Sequence, residues 1–155
     1  MAGFFKAGDA ISGQEGRAYA TINGRVEELF YAKSIEARAE KNKSDFKALG
    51  RRGTQSKAIG WTGTGSMTIY YATPVFRQMM LDYIKTGKDT YFDLTVVNED
   101  PNSSLGRQTV ILRNVNLDSV IMAKLDVDAE FLDEDCDFTF DDVDMPDSFA
   151  TPVLG

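Results

Sequence analysis

The sequence predicts a mainly β fold, a β-sandwich or barrel of about seven to eight strands with one flanking α-helix. A hairpin signal at Asn23-Gly24, repeated two-residue alternation of apolar and polar side chains, and a single stripe at helical spacing carry that prediction.

The elements follow in order. Residues 1–15, with Gly3, Gly8 and Gly13 and little periodicity, read as a mobile N-terminal arm in which Phe4 and Phe5 are candidate anchors to a neighbour. Arg17–Ile22 and Arg25–Tyr31 flank Asn23-Gly24, a pair suited to a type I′ turn because both central residues need positive φ. Ser34–Lys41 sets Ile35, Ala37 and Ala39 against Ser34, Glu36, Arg38 and Glu40, a strand with one buried face.

Residues 41–57 read as a basic, turn-rich projecting loop. Ala58–Tyr71 then alternates again, with Ile59, Trp61, Met67, Ile69 and Tyr71 on one side and Thr62, Thr64, Ser66 and Thr68 on the other. At about 3.3 Å per residue such a strand would span about 46 Å, too long for a compact body. It must bend at Gly60, Gly63 or Gly65, or project past the body, and both are expected.

Thr73 as N-cap, Pro74 at the first position and Gly87 as the stop bracket the helix, whose stripe is Phe76, Met79, Met80, Tyr83 and Ile84. That stripe is expected to pack on the sheet. Tyr91–Val97 alternates around Phe92, Leu94 and Val96, the polar run Asn98–Gln108 reads as a surface loop, and Thr109–Val115 and Ser119–Leu125 read as two further strands. In Asp135–Asp141, Cys136, Phe138 and Phe140 face one way and Asp135, Asp137, Thr139 and Asp141 the other. Residues 144–155, with Pro146 and Pro152, read as a C-terminal arm. The whole, 1–155, reads as one domain.

Composition narrows the function classes. The chain of 155 residues is 43% hydrophobic and 26% charged, which excludes wholesale disorder. No apolar run approaches the roughly 20 residues of a membrane-spanning helix, so membrane insertion of the subunit is not expected. The N-terminal residues lack the apolar core of a signal peptide. Cys136 stands alone, so no intrachain disulfide forms, which fits a reducing compartment. The net charge of −7 hides two opposed blocks. Residues 41–57 carry Lys41, Lys43, Lys47, Arg51, Arg52 and Lys57 against Asp45, while residues 126–147 carry eleven acids and no base. Such blocks are either two solvated faces or complementary patches meeting between copies, a heterologous contact that closes into rings or continues as a filament.

Catalytic and ligand chemistry is not indicated. The absence of histidine removes Ser-His-Asp and Cys-His pairs and most zinc sites. Cys136 lies among Asp133, Glu134, Asp135 and Asp137, whose charge disfavours a thiolate. Gly50–Lys57 lacks the phosphate-loop order, and Asp126, Asp128 and Glu130 lack the glycine a calcium loop needs, since Phe131 stands there. No cofactor and no metal are expected. Sequence-specific nucleic-acid binding is disfavoured because the basic segment is outweighed by acid elsewhere.

Glu40-Lys41-Asn42-Lys43-Ser44, Leu49-Gly50-Arg51-Arg52 and Gly60-Trp61-Thr62-Gly63-Thr64-Gly65, followed by Met79–Tyr83, Tyr91-Phe92, Leu125–Ala129 and Phe138-Thr139-Phe140, resemble in order the tail tube proteins of contractile phage tails, of the PBSX prophage type. The resemblance covers nearly the full length and extends to phage-tail bacteriocin and type VI secretion tubes. It implies a structural subunit, not an enzyme. Six copies would form a ring, and rings would stack into a hollow tube that conducts DNA or punctures a membrane. Sheath, baseplate and terminator proteins would be partners, DNA would pass without specific binding, and assembly would take place in the bacterial host cytoplasm. On this reading Lys41, Lys43, Lys47, Arg51, Arg52, Lys57, Trp61, Phe4 and Phe5 are inter-subunit or inter-ring contacts. Asp135, Asp137 and Asp141 are a candidate lumen lining or acidic docking face. The alternative is a monomeric tail-associated adaptor or carbohydrate-binding module, with Trp61, Tyr70 and Tyr71 forming an aromatic platform.

Overall fold

The computed structural model describes residues 3, 5–29, 31–151 and 154. Eight antiparallel strands and one helix follow in the order β1 (Gly16–Ile22), β2 (Arg25–Glu28), β3 (Ala32–Phe46), β4 (Gln55–Tyr70), α1 (Val75–Thr86), β5 (Phe92–Glu99), β6 (Arg107–Ser119), β7 (Asp133–Phe140) and β8 (Asp142–Asp147). They form one sheet in the order β2-β1-β5-β6-β7-β4-β3, with β8 also on β6. The expected mainly β class, strand number and single helix hold.

Strand β6 is shared between the two parts of the sheet. Its first part pairs with β5 and β8, and residues Asn116–Ser119 pair with β7. The change of partner follows Asn114, whose φ of 53° turns the strand. One core lies between the parts: Ala18, Ala20, Leu94 and Leu112 from one, Met67, Ile69, Cys136 and Phe138 from the other, and Phe76 from the helix. Non-directional burial of this apolar area is the main stabilising term.

Local chemistry explains most boundaries. Asn23 (φ 52°) and Gly24 (φ 80°) make the tight turn that joins β1 to β2 with Ile22 opposite Arg25. The Thr73 hydroxyl accepts the Val75 amide at 3.3 Å, one residue earlier than a formal cap, and Gly87 ends the helix in the left-handed region at φ 74°.

Several expectations give way. Ser119–Leu125 is not a strand: beyond Ser119 the chain leaves β7 and runs as an irregular loop through residue 132. Ala37 and Ala39 are exposed, because β3 is the edge strand and is covered on one side only. The helical stripe is buried only at Phe76, which packs on Phe92 with ring centroids 6.0 Å apart, whereas Tyr83 and Ile84 are exposed. The helix meets the sheet through its first turns and its far end stands clear.

Part of each terminal arm is held to the body. Residues 144–147 belong to β8, where Arg113 donates to Asp144 at 2.9 Å, and Ala150 donates its amide to Leu105 at 2.7 Å. Near the N-terminus the buried Asp9 accepts the Ser104 amide and hydroxyl, both at 2.8 Å, and Ser12 donates to Asp100 at 3.0 Å. Residues 9–15 are thereby tied to the β5–β6 loop.

The Ser104 hydrogen bonds hold the Asp9 carboxyl below the usual carboxylate range. A depressed folded-state value stabilises above the unfolded pKa and is lost as pH falls through the folded one. Asp9→Asn is therefore expected to be less stable than the parent at neutral pH, with the gap closing as acid protonates Asp9. Denaturation midpoints measured from pH 7 downward check this, and a gap that does not depend on pH contradicts it.

Candidate assembly surfaces

The longest elements of the chain, β3 with 15 residues and β4 with 16, pair along their whole length into one hairpin. The segment read as a projecting loop, 41–57, is thus mostly strand. Only residues 47–54 connect, through a turn in which Arg51 donates its amide to Ala48 and Gly50 takes φ 83°.

Beyond the pair Gly63–Phe140 strand β7 ends, and β3 and β4 continue with only each other as partners from Glu40–Thr62 to Phe46–Gln55. Seven pleated residues carry the tip about 23 Å past the body. The register shifts between Asn42 and Lys43, where Ile59 is the extra residue. The bulge therefore sits at Ile59. Gly63 and Gly65 have another role, since they lie under the rings of Phe140 and Phe138, where a Cβ would come within 2.6 and 2.4 Å of ring carbons.

Paired residues on antiparallel strands share a face. Lys41 is opposite Trp61 and Lys43 opposite Ala58, so these two lysines and Trp61 share the hairpin face that continues the core side. Lys57, opposite Ser44, lies on the other face with Phe46. Lys47, Arg51 and Arg52 lie in the tip, around Leu49, whose side chain is fully exposed. The six bases therefore occupy three places. Trp61 is partly covered by Phe140 at 5.9 Å. Phe5 is exposed, and Phe4 lies outside the described residues.

The opposite face of β7, β4 and β3 is polar between Thr62 and Thr68. Asp135, Thr68 and Ser34 form one row, Asp137, Ser66 and Glu36 the next, Thr139, Thr64 and Arg38 a third, and Thr62 with Glu40 continues it. Within these rows four carboxylates and one guanidinium stand among hydroxyls, with no aliphatic or aromatic side chain and no lysine; the face is bounded at one end by Tyr70 with Lys33 over its ring at 5.3 Å and at the other by Lys57 and Phe46. Thr68 donates to Asp135 at 2.7 Å, and Arg38 bridges Glu36 at 3.3 Å. Asp141 is not in this row: it lies past the end of β7 and takes the Asn114 amide at 2.9 and 3.2 Å. Glu36 and Glu40 are the acids the expected lining omitted, although the alternation of β3 had already put them on a polar side.

The inner side of the same strands is chemically quiet. Burial, reinforced by Glu134, Asp135 and Asp137, pushes the Cys136 thiol up to about 12. Glu134, itself buried, is paired with Arg77, which also donates to the Thr73 carbonyl at 2.6 Å and stacks on Tyr71 at 4.3 Å. Trp61, Tyr70 and Tyr71 do not form one platform. Trp61 and Tyr70 point to opposite faces of β4 and Tyr71 is covered by Arg77. Among the described residues no cluster of three or more acidic, cysteine or histidine side chains is placed to hold a metal ion, and no helix is long and apolar enough to cross a membrane.

A family model described as phage tail tube protein matches residues 3–147. The chain belongs to this family. The tail tube protein is 45% identical over 145 residues to the phage-like element PBSX protein XkdM of Bacillus subtilis (strain 168), covering 94% of this chain and 96% of that one. Its fold is that of a chain in the six-fold symmetrised anti-feeding prophage baseplate (TM-score 0.67, 13% identity, 88% of this chain and 94% of that one). It is also that of a chain in the extended sheath–tube complex of an extracellular contractile injection system (TM-score 0.60, 12% identity, 88% and 89%). The tail tube protein is a structural component of a phage tail or tail-like particle, and not an enzyme.

Proposed function

We propose that copies of this chain form hexameric rings that stack into the hollow inner tube of a contractile tail, with the polar face of β7, β4 and β3 lining the channel. The carrying observation is that face: a continuous three-strand surface of hydroxyls and carboxylates on a protein whose other exposed surfaces are studded with large apolar side chains. Excess carboxylate repels phosphate, and the central rows, free of aromatic and lysine side chains, deny bases and backbone a place to stick, so DNA slides past.

The apolar surfaces match the same reading. Leu81, Tyr83 and Ile84 on the helix, with Tyr91, are exposed in one copy and fit contacts between copies or with sheath and terminator proteins. The occurrence of this fold in a six-fold symmetrised baseplate supports the ring number. Assembly in the host cytoplasm fits a chain whose one thiol is buried and unpaired.

Negative-stain images of concentrated protein, alone or with its baseplate partners, are expected to show rings or hollow rods. A protein that stays monomeric at high concentration and never enters tails would sink the proposal. Arg51→Glu with Arg52→Glu is expected to impair stacking, with the defect larger at low salt, where charges at the tip are least screened. Rods of normal length and number at low ionic strength would remove these arginines from the contact.

A further inference from the structure

Two exposed apolar patches lie at opposite ends of β4 and carry opposite charge. At one end the tip, residues 47–54, presents Leu49 with Lys47, Arg51 and Arg52 and no acid. At the other, the loop of residues 120–132 presents Leu125 and Val127, each 89% exposed, and Phe131, 76% exposed, interleaved with Asp126, Asp128 and Glu130. The base in this loop, Lys124, is turned inward: its amine donates to the Asp133 carbonyl at 2.7 Å and pairs with the Asp133 carboxylate at 3.5 Å.

The register fixes how far apart the patches are. Tyr70 pairs with Asp133, where the loop ends, and Gln55 at the far end of the same strand leads into the tip. Fifteen steps of strand separate them by up to about 50 Å, so they do not meet within one copy. Between copies they complement each other in shape of chemistry as well as charge, with apolar side chains at the centre and opposite charges around them.

We infer that the hairpin tip of one copy docks onto the 120–132 loop of the copy beyond it, with Leu49 seated among Leu125, Val127 and Phe131 and with Arg51 and Arg52 facing Asp126, Asp128 and Glu130. This rests on the tube reading and names the residues that would join successive rings. The contact is heterologous, a different patch on each side, and therefore repeats without closing. Two other cavities fit the tip less well. The 710 Å³ groove between β1 and β3 has Arg17, Lys33 and Glu28 on its rim, a net positive edge. The 260 Å³ cleft beside the helix offers two acids, Asp118 and an Asp89 already taken by Asn116 at 2.9 Å, against three in the loop.

The test uses the full chain with Leu49→Cys and Leu125→Cys together, since Cys136 is fully buried and does not compete. Mild oxidation of assembled rods is expected to give a ladder of dimers, trimers and longer chains on a non-reducing denaturing gel, and at most dimers from either single variant. Rods that give no ladder overturn the inference and leave the tube reading standing. Parent protein that never assembles removes the tube reading, and the inference falls with it. If the cysteine pair itself blocks assembly, charge exchange decides. Asp126→Lys with Asp128→Lys is expected to abolish rods, and combining it with Arg51→Glu and Arg52→Glu to restore them. Normal rods from the loop variant alone, or no recovery in the combination, refute the docking.

Discussion

Arg77→Met is expected to lower the unfolding free energy by about 3–5 kcal/mol, because it leaves the buried Glu134 carboxylate without its counter-charge. The Glu134 side chain is fully buried and Arg77 nearly so, at 17% exposure, so water cannot replace the lost partner. One carboxylate oxygen, Oε1, already lacks a hydrogen bond within the protein, which leaves no reserve. Arg77 also donates to the Thr73 carbonyl before the helix while pairing with Glu134 on β7, so the start of the helix should loosen with it. The companion experiment is the double variant Arg77→Met with Glu134→Leu. Removing both charges also removes the desolvation they cost, and its denaturation midpoint is expected to return close to the parent's. If the double variant is as unstable as the single one, packing and not charge is what the pair supplies.

Gly65→Val is expected to cost about 3 kcal/mol, at the upper end of the usual overpacking penalty. A Cβ at Gly65 would approach Phe138 Cζ to 2.4 Å and the Glu36 carbonyl oxygen to 2.7 Å. The ring is held in the core and the carbonyl is main chain of the paired strand, so neither yields without moving β3 or β7. At roughly 2–4 °C per kcal/mol for a domain of this size, a melting temperature lower by about 10 °C is the readout. Gly53→Ala, where nothing lies within 4 Å, is the control and should change stability by no more than about 0.5 kcal/mol. Equal effects at the two sites would refute the packing argument.

What the sequence discloses here is what a strand or turn discloses about itself. Asn23-Gly24 needs positive φ wherever it sits, and Cys136, Phe138 and Phe140 must share a face in any extended chain, so both were readable before any neighbour was known. Partnership is not local. Val120–Leu125 has the composition of a strand, yet it forms none, because a strand exists only where another offers a free edge. Residues 144–155, acidic at their start and interrupted by Pro146, look like a tail. Residues 144–147 pair nevertheless as part of β8, because β6 has an edge there and Arg113 and Arg107 meet Asp144 and Asp147.

The assembly surfaces divide in the same way. The basic tip is visible as composition. Its extension on a two-stranded stem is not, because Lys41, Lys43 and Asp45 alternate with Asn42 and Ser44, so neither face shows an apolar period. Asp141 was placed with Asp135 and Asp137 by simple counting, and the chain turns just before it. Glycines 63 and 65 looked like points of flexibility and instead accept aromatic rings from the next strand, a match that only the register reveals.

The hairpin that ends in cations and the loop that ends in anions give each subunit a direction along β4. In the proposed stack the two termini would differ chemically, one crowned with guanidinium groups and the other with carboxylates. On that proposal the proteins that start and stop the polymer would offer opposite chemistries, and a subunit arriving upside down would meet like charge with like. The polarity of the proposed tube would then rest on the two ends of a single strand.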